Sequence, residues 1–237
     1  MSILGVLFDK DGTLIDFDAT WGPAMHAIIR ALAADDPERM RAQAEVLHFS
    51  LDEKRFRATS PVIAGLSASY GLQWANALGR TDFVALKREI DRLAAVESLK
   101  ALTPIGEPAH ALGALKAMGL RLGVATNDSE ANARRHIAAL GLAQTIEFVA
   151  GRDSGHGGKP DPGMALAFAR HLGVAPGRIA MVGDSRGDLE AARAAGALAV
   201  AVLSGPADRD ELAPHADHVV DDLEALPALF AALARAV

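Results

Sequence analysis

No cysteine occurs in the 237 residues, which excludes disulfides, thiolate metal sites and a cysteine nucleophile and fits a reducing cytoplasm. Aromatic residues are scarce at 5%, while half of the chain is hydrophobic and alanine is abundant. That balance suits helix-rich α/β packing better than an aromatic-rich β sandwich. Positive charge is short as well: 24 Lys and Arg face 30 Asp and Glu, a formal net charge of −6. This is the wrong sign for a protein that gains affinity by neutralising a phosphate backbone, so nucleic acid is not an expected partner. Long hydrophobic runs are missing too. No stretch reaches the roughly 18 apolar residues of a membrane span, and Ala197 to Leu203 is only strand-length. The segment Met1 to Asp9 lacks the basic start of a signal peptide and ends in a charge. A soluble, cytoplasmic chain with no membrane partner is therefore expected.

What is present is a βαβ rhythm. The length suggests one large domain or a domain with an insert, taking about 150 residues per domain. Short Val/Leu/Ile runs predict strands at Leu4 to Phe8, Arg121 to Ala125, Thr145 to Ala150, Arg178 to Val182 and Ala197 to Val202, with an edge strand at Asp217 to Val220. Helices are predicted near Glu107 to Met118, Ser129 to Leu140, Pro162 to Leu172, Arg186 to Ala195 and Asp222 to Ala234. Ser129 reads as a cap with Glu130 in the first turn, and Asp161-Pro162 as a cap before a first-turn proline. Such alternation gives a doubly wound, Rossmann-like parallel sheet. Residues 17–102 differ: Trp21, Met25, Ile28, Ile29 and Leu32 share one helical face, Thr81 precedes Phe83, Leu86, Ile90 and Leu93 at similar spacing, and no strand is apparent. The expected division is a core of residues 1–16 and 103–237 with a helical insert, 17–102, placed after the first strand. Open α/β sheets bind ligands beside the carboxyl ends of their strands, so a movable cap is the natural inference.

Four signals carry chemistry. Phe8-Asp9-Lys10-Asp11-Gly12-Thr13-Leu14 runs a hydrophobic strand into two aspartates spaced by two, and alternate positions of an extended segment point the same way. Such a pair can divide covalent phosphoryl transfer between a nucleophile and a group that handles the leaving group's proton. Taken alone, the motif reads more readily as a strand followed by an Asp-Gly turn. Gly183-Asp184-Ser185-Arg186-Gly187-Asp188 again ends an apolar strand; its carboxylates can converge on a hard cation such as Mg²⁺, or Asp184 can cap a helix beside a solvated Asp188. Thr126 and Asn127, after the strand ending at Ala125, can hold phosphate oxygens at a helix entrance, or the threonine is a simple cap. Lys159, in Gly157-Gly158-Lys159-Pro160-Asp161-Pro162, can neutralise a nucleophilic aspartate and a transferring phosphoryl group, or lie solvated at the surface. None of the eight histidines forms the close pair of a zinc or non-haem iron site.

In this order, each signal at a strand's carboxyl end, the chain resembles the haloacid dehalogenase superfamily. Asp9-Lys10-Asp11-Gly12-Thr13 matches its first motif, Thr126 its second, Lys159 its third, and Gly183-Asp184 with Asp188 its fourth. The glycine-rich lysine motif and the insert position look most like phosphoglycolate phosphatase and its relatives. The resemblance implies Asp9 as nucleophile, Asp11 as general acid and then base, and Mg²⁺ bound by Asp9, Asp184 and the Asp11 carbonyl, with Asp188 a direct or water-mediated partner. Lys10, where many members carry an apolar residue, is expected to point away as a peripheral charge or a contact to the cap. In the insert, Arg55 or Arg57 can contact a substrate carboxylate such as glycolate's, or belong to a solvated basic face. The leading expectation is a Mg²⁺-dependent phosphatase for a small phosphorylated metabolite, 2-phosphoglycolate favoured, acting as a monomer or homodimer. Open alternatives are other sugar-phosphate or pyrophosphate phosphatases, a β-phosphoglucomutase-like phosphotransferase, and, from another class, a phospho-accepting signalling module.

Overall fold

The computed structural model describes residues 2–63 and 67–235. In chain order the elements are β1 (Gly5–Phe8), α1 (Phe17–Ala33), α2 (Pro37–Val46), β2 (Phe49–Ser50), β3 (Arg55–Phe56), α3 (Ser67–Ala77), α4 (Phe83–Lys100), α5 (Pro108–Ala117), β4 (Arg121–Ala125), α6 (Glu130–Ala139), β5 (Ile146–Ala150), α7 (Gly163–Leu172), β6 (Ile179–Gly183), α8 (Arg186–Ala195), β7 (Leu198–Val202), α9 (Arg209–Leu212), β8 (His218–Val220) and α10 (Leu226–Arg235). The chain divides into two compact units, residues 1–16 with 104–237, and residues 17–103. No described helix is long and apolar enough to cross a membrane.

The first unit is built on a six-stranded sheet in the order β5-β4-β1-β6-β7-β8, every neighbouring pair parallel. Parallel strands between helices are covered on both faces, and the continuous apolar runs of β1 and β6 are buried throughout, as that placement requires. The short, half-buried β8 closes one edge, as expected for residues 217–220. Phe168 and Met164 of α7 and Leu189, Ala191 and Ala192 of α8 pack with Leu7 of β1 and Met181 of β6. Register then fixes the site: Phe8 lies opposite both Val124 and Val182, so β1, β4 and β6 release Asp9, Thr126 and Asp184 at one end of the sheet.

Two helix starts differ from expectation. Asp161 does not cap α7; Pro162 holds the cap position without a side-chain hydrogen bond and the helix begins at Gly163. Residues 222–234 are not one helix: Asp222 caps a 3₁₀ turn, Leu223–Ala225, and α10 starts at Leu226. Pro227, which has no N–H to donate, fits only the first turn of that second helix.

The second unit is helical, as its periodicity predicts, with Met25, Ile28 and Ile29 of α1, Leu47, Phe49, Phe56 and Trp74 at its core. Trp74 Nε1 donates to Gln43 Oε1 at 2.8 Å, and Gln43 Nε2 donates to the carbonyl of Ile29 at 3.1 Å, so the buried amide is satisfied at both ends. The expectation of no strand is corrected by an antiparallel hairpin, β2 with β3, which pairs Phe49 with Phe56. Their rings meet edge to face with centroids 5.1 Å apart. Two-residue strands are too short to leave an alternating pattern.

Candidate active site

Asp9 leaves β1 directly, its N–H donating to the Val182 carbonyl at 2.8 Å. Beyond it the chain closes a tight loop, in which Leu14 N and Gly12 N donate to the carbonyls of Lys10 and Ile15, both at 2.8 Å. Gly12 adopts φ +85°, and a side chain there or at Gly205 would run into the Asp184 carboxylate. Glycine at both places is therefore a demand of the site. Asp184 is buried, accepts from Thr13 Oγ1 at 3.0 Å, and does not cap a helix.

The cap of α8 is Ser185, in a reciprocal box with Asp188. Asp188 Oδ2 accepts from Ser185 N at 3.1 Å and from Ser185 Oγ at 2.5 Å. This leaves Oδ1 for the Lys159 ammonium, 2.6 Å away. Far from being solvated, Asp188 is wholly buried. The lysine's other partner is Asp9 Oδ1 at 2.5 Å, which also accepts from Lys10 N at 2.6 Å. Lys159 is thus a buried bridge between two carboxylates. Asn127 clasps its backbone: Lys159 N donates to Asn127 Oδ1 at 2.8 Å, and Asn127 Nδ2 donates to the Lys159 carbonyl at 3.1 Å. As placed, Asn127 serves the lysine loop. Thr126 Oγ1 donates to Asp11 Oδ2 at 3.3 Å and accepts from Asp128 N at 3.1 Å.

Asp9, Asp184 and Asp188 can each offer an oxygen within 4.8 Å of the others. Three carboxylates against the single Lys159 ammonium leave two negative charges to compensate. Burial, reinforced by Asp188, pushes the Asp9 carboxyl well above its ordinary range. The same two causes push Asp184 to about 7, against the hydrogen bond from Thr13. Burial works against the Lys159 charge, but Asp188 and Asp9 overcome it and raise its affinity for the proton. A cluster this acidic, buried and made only of oxygen donors fits a small divalent cation such as Mg²⁺.

Lys10 corrects the sequence expectation. Its side chain is fully buried, not peripheral, and lies within the first unit. Its ammonium sits 2.8 Å from Asp11 Oδ2 and 3.2 Å from Asp128 Oδ2, and His136 Nδ1 is 3.3 Å away. Although burial opposes its charge, Asp11 and Asp128 hold the ammonium above its ordinary pKa. Burial and then Lys10 press His136 down to about 4. The alternation rule fails because β1 ends at Phe8 and Lys10 already anchors the loop. Sequence reasoning gave no role to Thr13, which lies inside the first motif, or to Asp128, which follows Thr126 and Asn127, and it missed His136, which carried no signal.

All of these side chains belong to the first unit, whereas Arg55 and Arg57 belong to the second. Arg55 is engaged in an exposed ion pair, its Nη2 2.5 Å from Asp18 Oδ2. Arg57 is exposed, with its backbone N–H donating to the His48 carbonyl at 2.8 Å.

Comparison with known proteins bears on what this arrangement is. Residues 3–196 match the family of haloacid dehalogenase-like hydrolases. A phosphoglycolate phosphatase of Rhodospirillum rubrum is 34% identical over 214 residues, spanning 88% of this chain and 82% of that protein. One from Chromobacterium violaceum is 32% identical over 220 residues, 89% of each. In fold, the crystal structure of a predicted phosphoglycolate phosphatase from Haemophilus somnus 129pt superposes with a TM-score of 0.70 at 22% identity, covering 97% of this chain and 98% of the other. The four motifs, their meeting at one end of the sheet and these matches agree: the chain belongs to the haloacid dehalogenase-like hydrolase family and, within it, is phosphoglycolate phosphatase-like.

Proposed function

We propose that this hydrolase is a Mg²⁺-dependent phosphatase that hydrolyses a small phosphorylated metabolite, with 2-phosphoglycolate the favoured substrate, through an aspartyl-phosphate on Asp9. The observation that carries the reading is Asp9 itself: buried, at a strand end, bridged by Lys159 to Asp188, with Asp11 two residues on. Both hydrogen-bonding contacts of the Asp9 carboxylate fall on Oδ1, which leaves Oδ2 to attack. The Asp9 oxygen forms a bond to phosphorus as the ester P–O bond breaks. Asp11 gives its proton to the departing alkoxide, then takes one from the water that attacks phosphorus; the Asp9 O–P bond breaks, releasing phosphate with the Asp9 carboxylate restored. Lys159 remains charged throughout and offsets negative charge on the phosphoryl oxygens. When bound by Asp9, Asp184, Asp188 and the Asp11 carbonyl, Mg²⁺ would supply the remaining positive charge and orient the phosphate. Thr126 places a hydroxyl beside Asp11, and Asn127 keeps the lysine loop in position.

The relatives named for phosphoglycolate hydrolysis support the choice of substrate. The test is phosphate release from a panel of phosphate monoesters with and without Mg²⁺. Metal-dependent release from 2-phosphoglycolate, reduced about 10⁴-fold or more by Asp9→Asn, is expected. Strong turnover of a different ester would replace the substrate. A long-lived phosphoprotein without turnover would instead favour phosphotransfer to a second molecule.

A further inference from the structure

We propose that Lys10 is a positioning residue of this site: its buried ammonium, gripped by Asp128 and His136, holds the Asp11 carboxylate where it exchanges protons with the substrate. This rests on the phosphatase reading above.

An ammonium has three N–H donors and no acceptor. Lys10 directs them to Asp11, whose Oδ1 and Oδ2 lie at 2.9 and 2.8 Å, to Asp128 Oδ2 at 3.2 Å and to His136 Nδ1 at 3.3 Å. A ring nitrogen facing an ammonium accepts, which assigns His136 as neutral with its proton on Nε2. Removing an ammonium from water is costly unless every donor is matched, and here the matched donors connect the acid to a fixed base. Asp128 is itself held, its Oδ1 by Ser129 N and its Oδ2 by Asn132 Nδ2, both at 2.7 Å. Ser129 caps α6, and His136 lies on that helix one turn beyond Asn132. A continuous path therefore runs from α6 through Asp128 and His136 to Lys10 and on to Asp11. The final grip is shared with Thr126 Oγ1 on the same Oδ2. A lysine serving stability alone would have no reason to spend its shortest contacts on the one carboxylate assigned to proton transfer.

The role separates from a structural one by leaving group. Nitrophenolate departs from phosphorus without a proton, whereas an alkoxide needs one, so only the alkyl ester depends on where Asp11 sits. The experiment measures kcat/KM, which reports steps only through leaving-group departure, for p-nitrophenyl phosphate and 2-phosphoglycolate at saturating Mg²⁺. Wild type, Lys10→Met and His136→Gln are compared. General acid catalysis is worth about 10²-fold or more. Lys10→Met is thus expected to lose about that much on the alkyl ester and no more than about threefold on the nitrophenyl ester. His136→Gln, whose amide oxygen still accepts from Lys10, shows a smaller split in the same direction. Equal losses on both esters, or no loss, overturn the proposal. If Lys10→Met does not fold, judged by far-UV circular dichroism, the split is required of His136→Gln, and its absence there is equally fatal. A wild type inactive on both esters would instead remove the phosphatase reading, and the inference with it, before any variant is made.

Discussion

Asp9, Asp184 and Asp188 show how strongly a residue's chemistry depends on its company. Sequence motifs identified these aspartates because Asp9 and Asp184 stand immediately after apolar strands, with Asp188 four residues beyond Asp184. The motifs did not reveal that all three are buried together, with one ammonium bridging Asp9 and Asp188. The resulting upward shifts of Asp9 and of Asp184, the latter to about 7, make metal binding compete with protons. Below that pH the Asp184 carboxyl holds a proton that a cation must displace. Mg²⁺ affinity is therefore expected to rise with pH through about 7, where Asp184 gives up its proton, with the raised Asp9 carboxyl steepening the rise. Calorimetry in buffers of different ionisation enthalpy checks this through the accompanying proton release; affinity independent of pH with no protons released would contradict it. Lys10 was noticed in sequence and misplaced. Its position between two aspartates suggested strand alternation, and only the loop hydrogen bonds at its carbonyl show that the pleat has already ended.

At the scale of elements, the strands and helices of the first unit were legible because each buries a continuous apolar run or one apolar face. Ends were legible where a side chain caps, as Ser129 does for α6, and illegible where the cap is a proline without a hydrogen bond, as at α7. The β2–β3 hairpin had no pattern to read, since each strand has only two residues. The start of α8 joins both levels, because the capping Ser185 also orients a carboxylate of the site. Ser185→Ala should cost about 1 kcal/mol from the lost cap, seen as a lower urea midpoint with an unchanged slope. It should also weaken Mg²⁺ binding by freeing Asp188 to turn. An unaltered metal affinity would show that Lys159 alone is enough to hold Asp188.

Across the whole molecule, the chain divides its chemistry by unit: every motif aspartate, Thr126 and Lys159 lie in residues 1–16 and 104–237. The insert was legible as a helical segment, and its buried amide network was not, because nothing near Gln43 in sequence announces Trp74 as its partner. Trp74→Phe should strand the Gln43 oxygen and cost the insert about 1–3 kcal/mol, read from Trp21 emission during urea unfolding. Mg²⁺ binding by the other unit should be unaffected; a matching fall in metal affinity would mean that the units do not unfold independently. The same division has an optical consequence. Both tryptophans, Trp21 and Trp74, and the single tyrosine, Tyr70, belong to residues 17–103. Indole fluorescence from the native protein therefore observes the insert alone, and the chemical half is dark. Any change in emission when metal or a phosphate ester is added is a signal from the insert, obtained without attaching a dye.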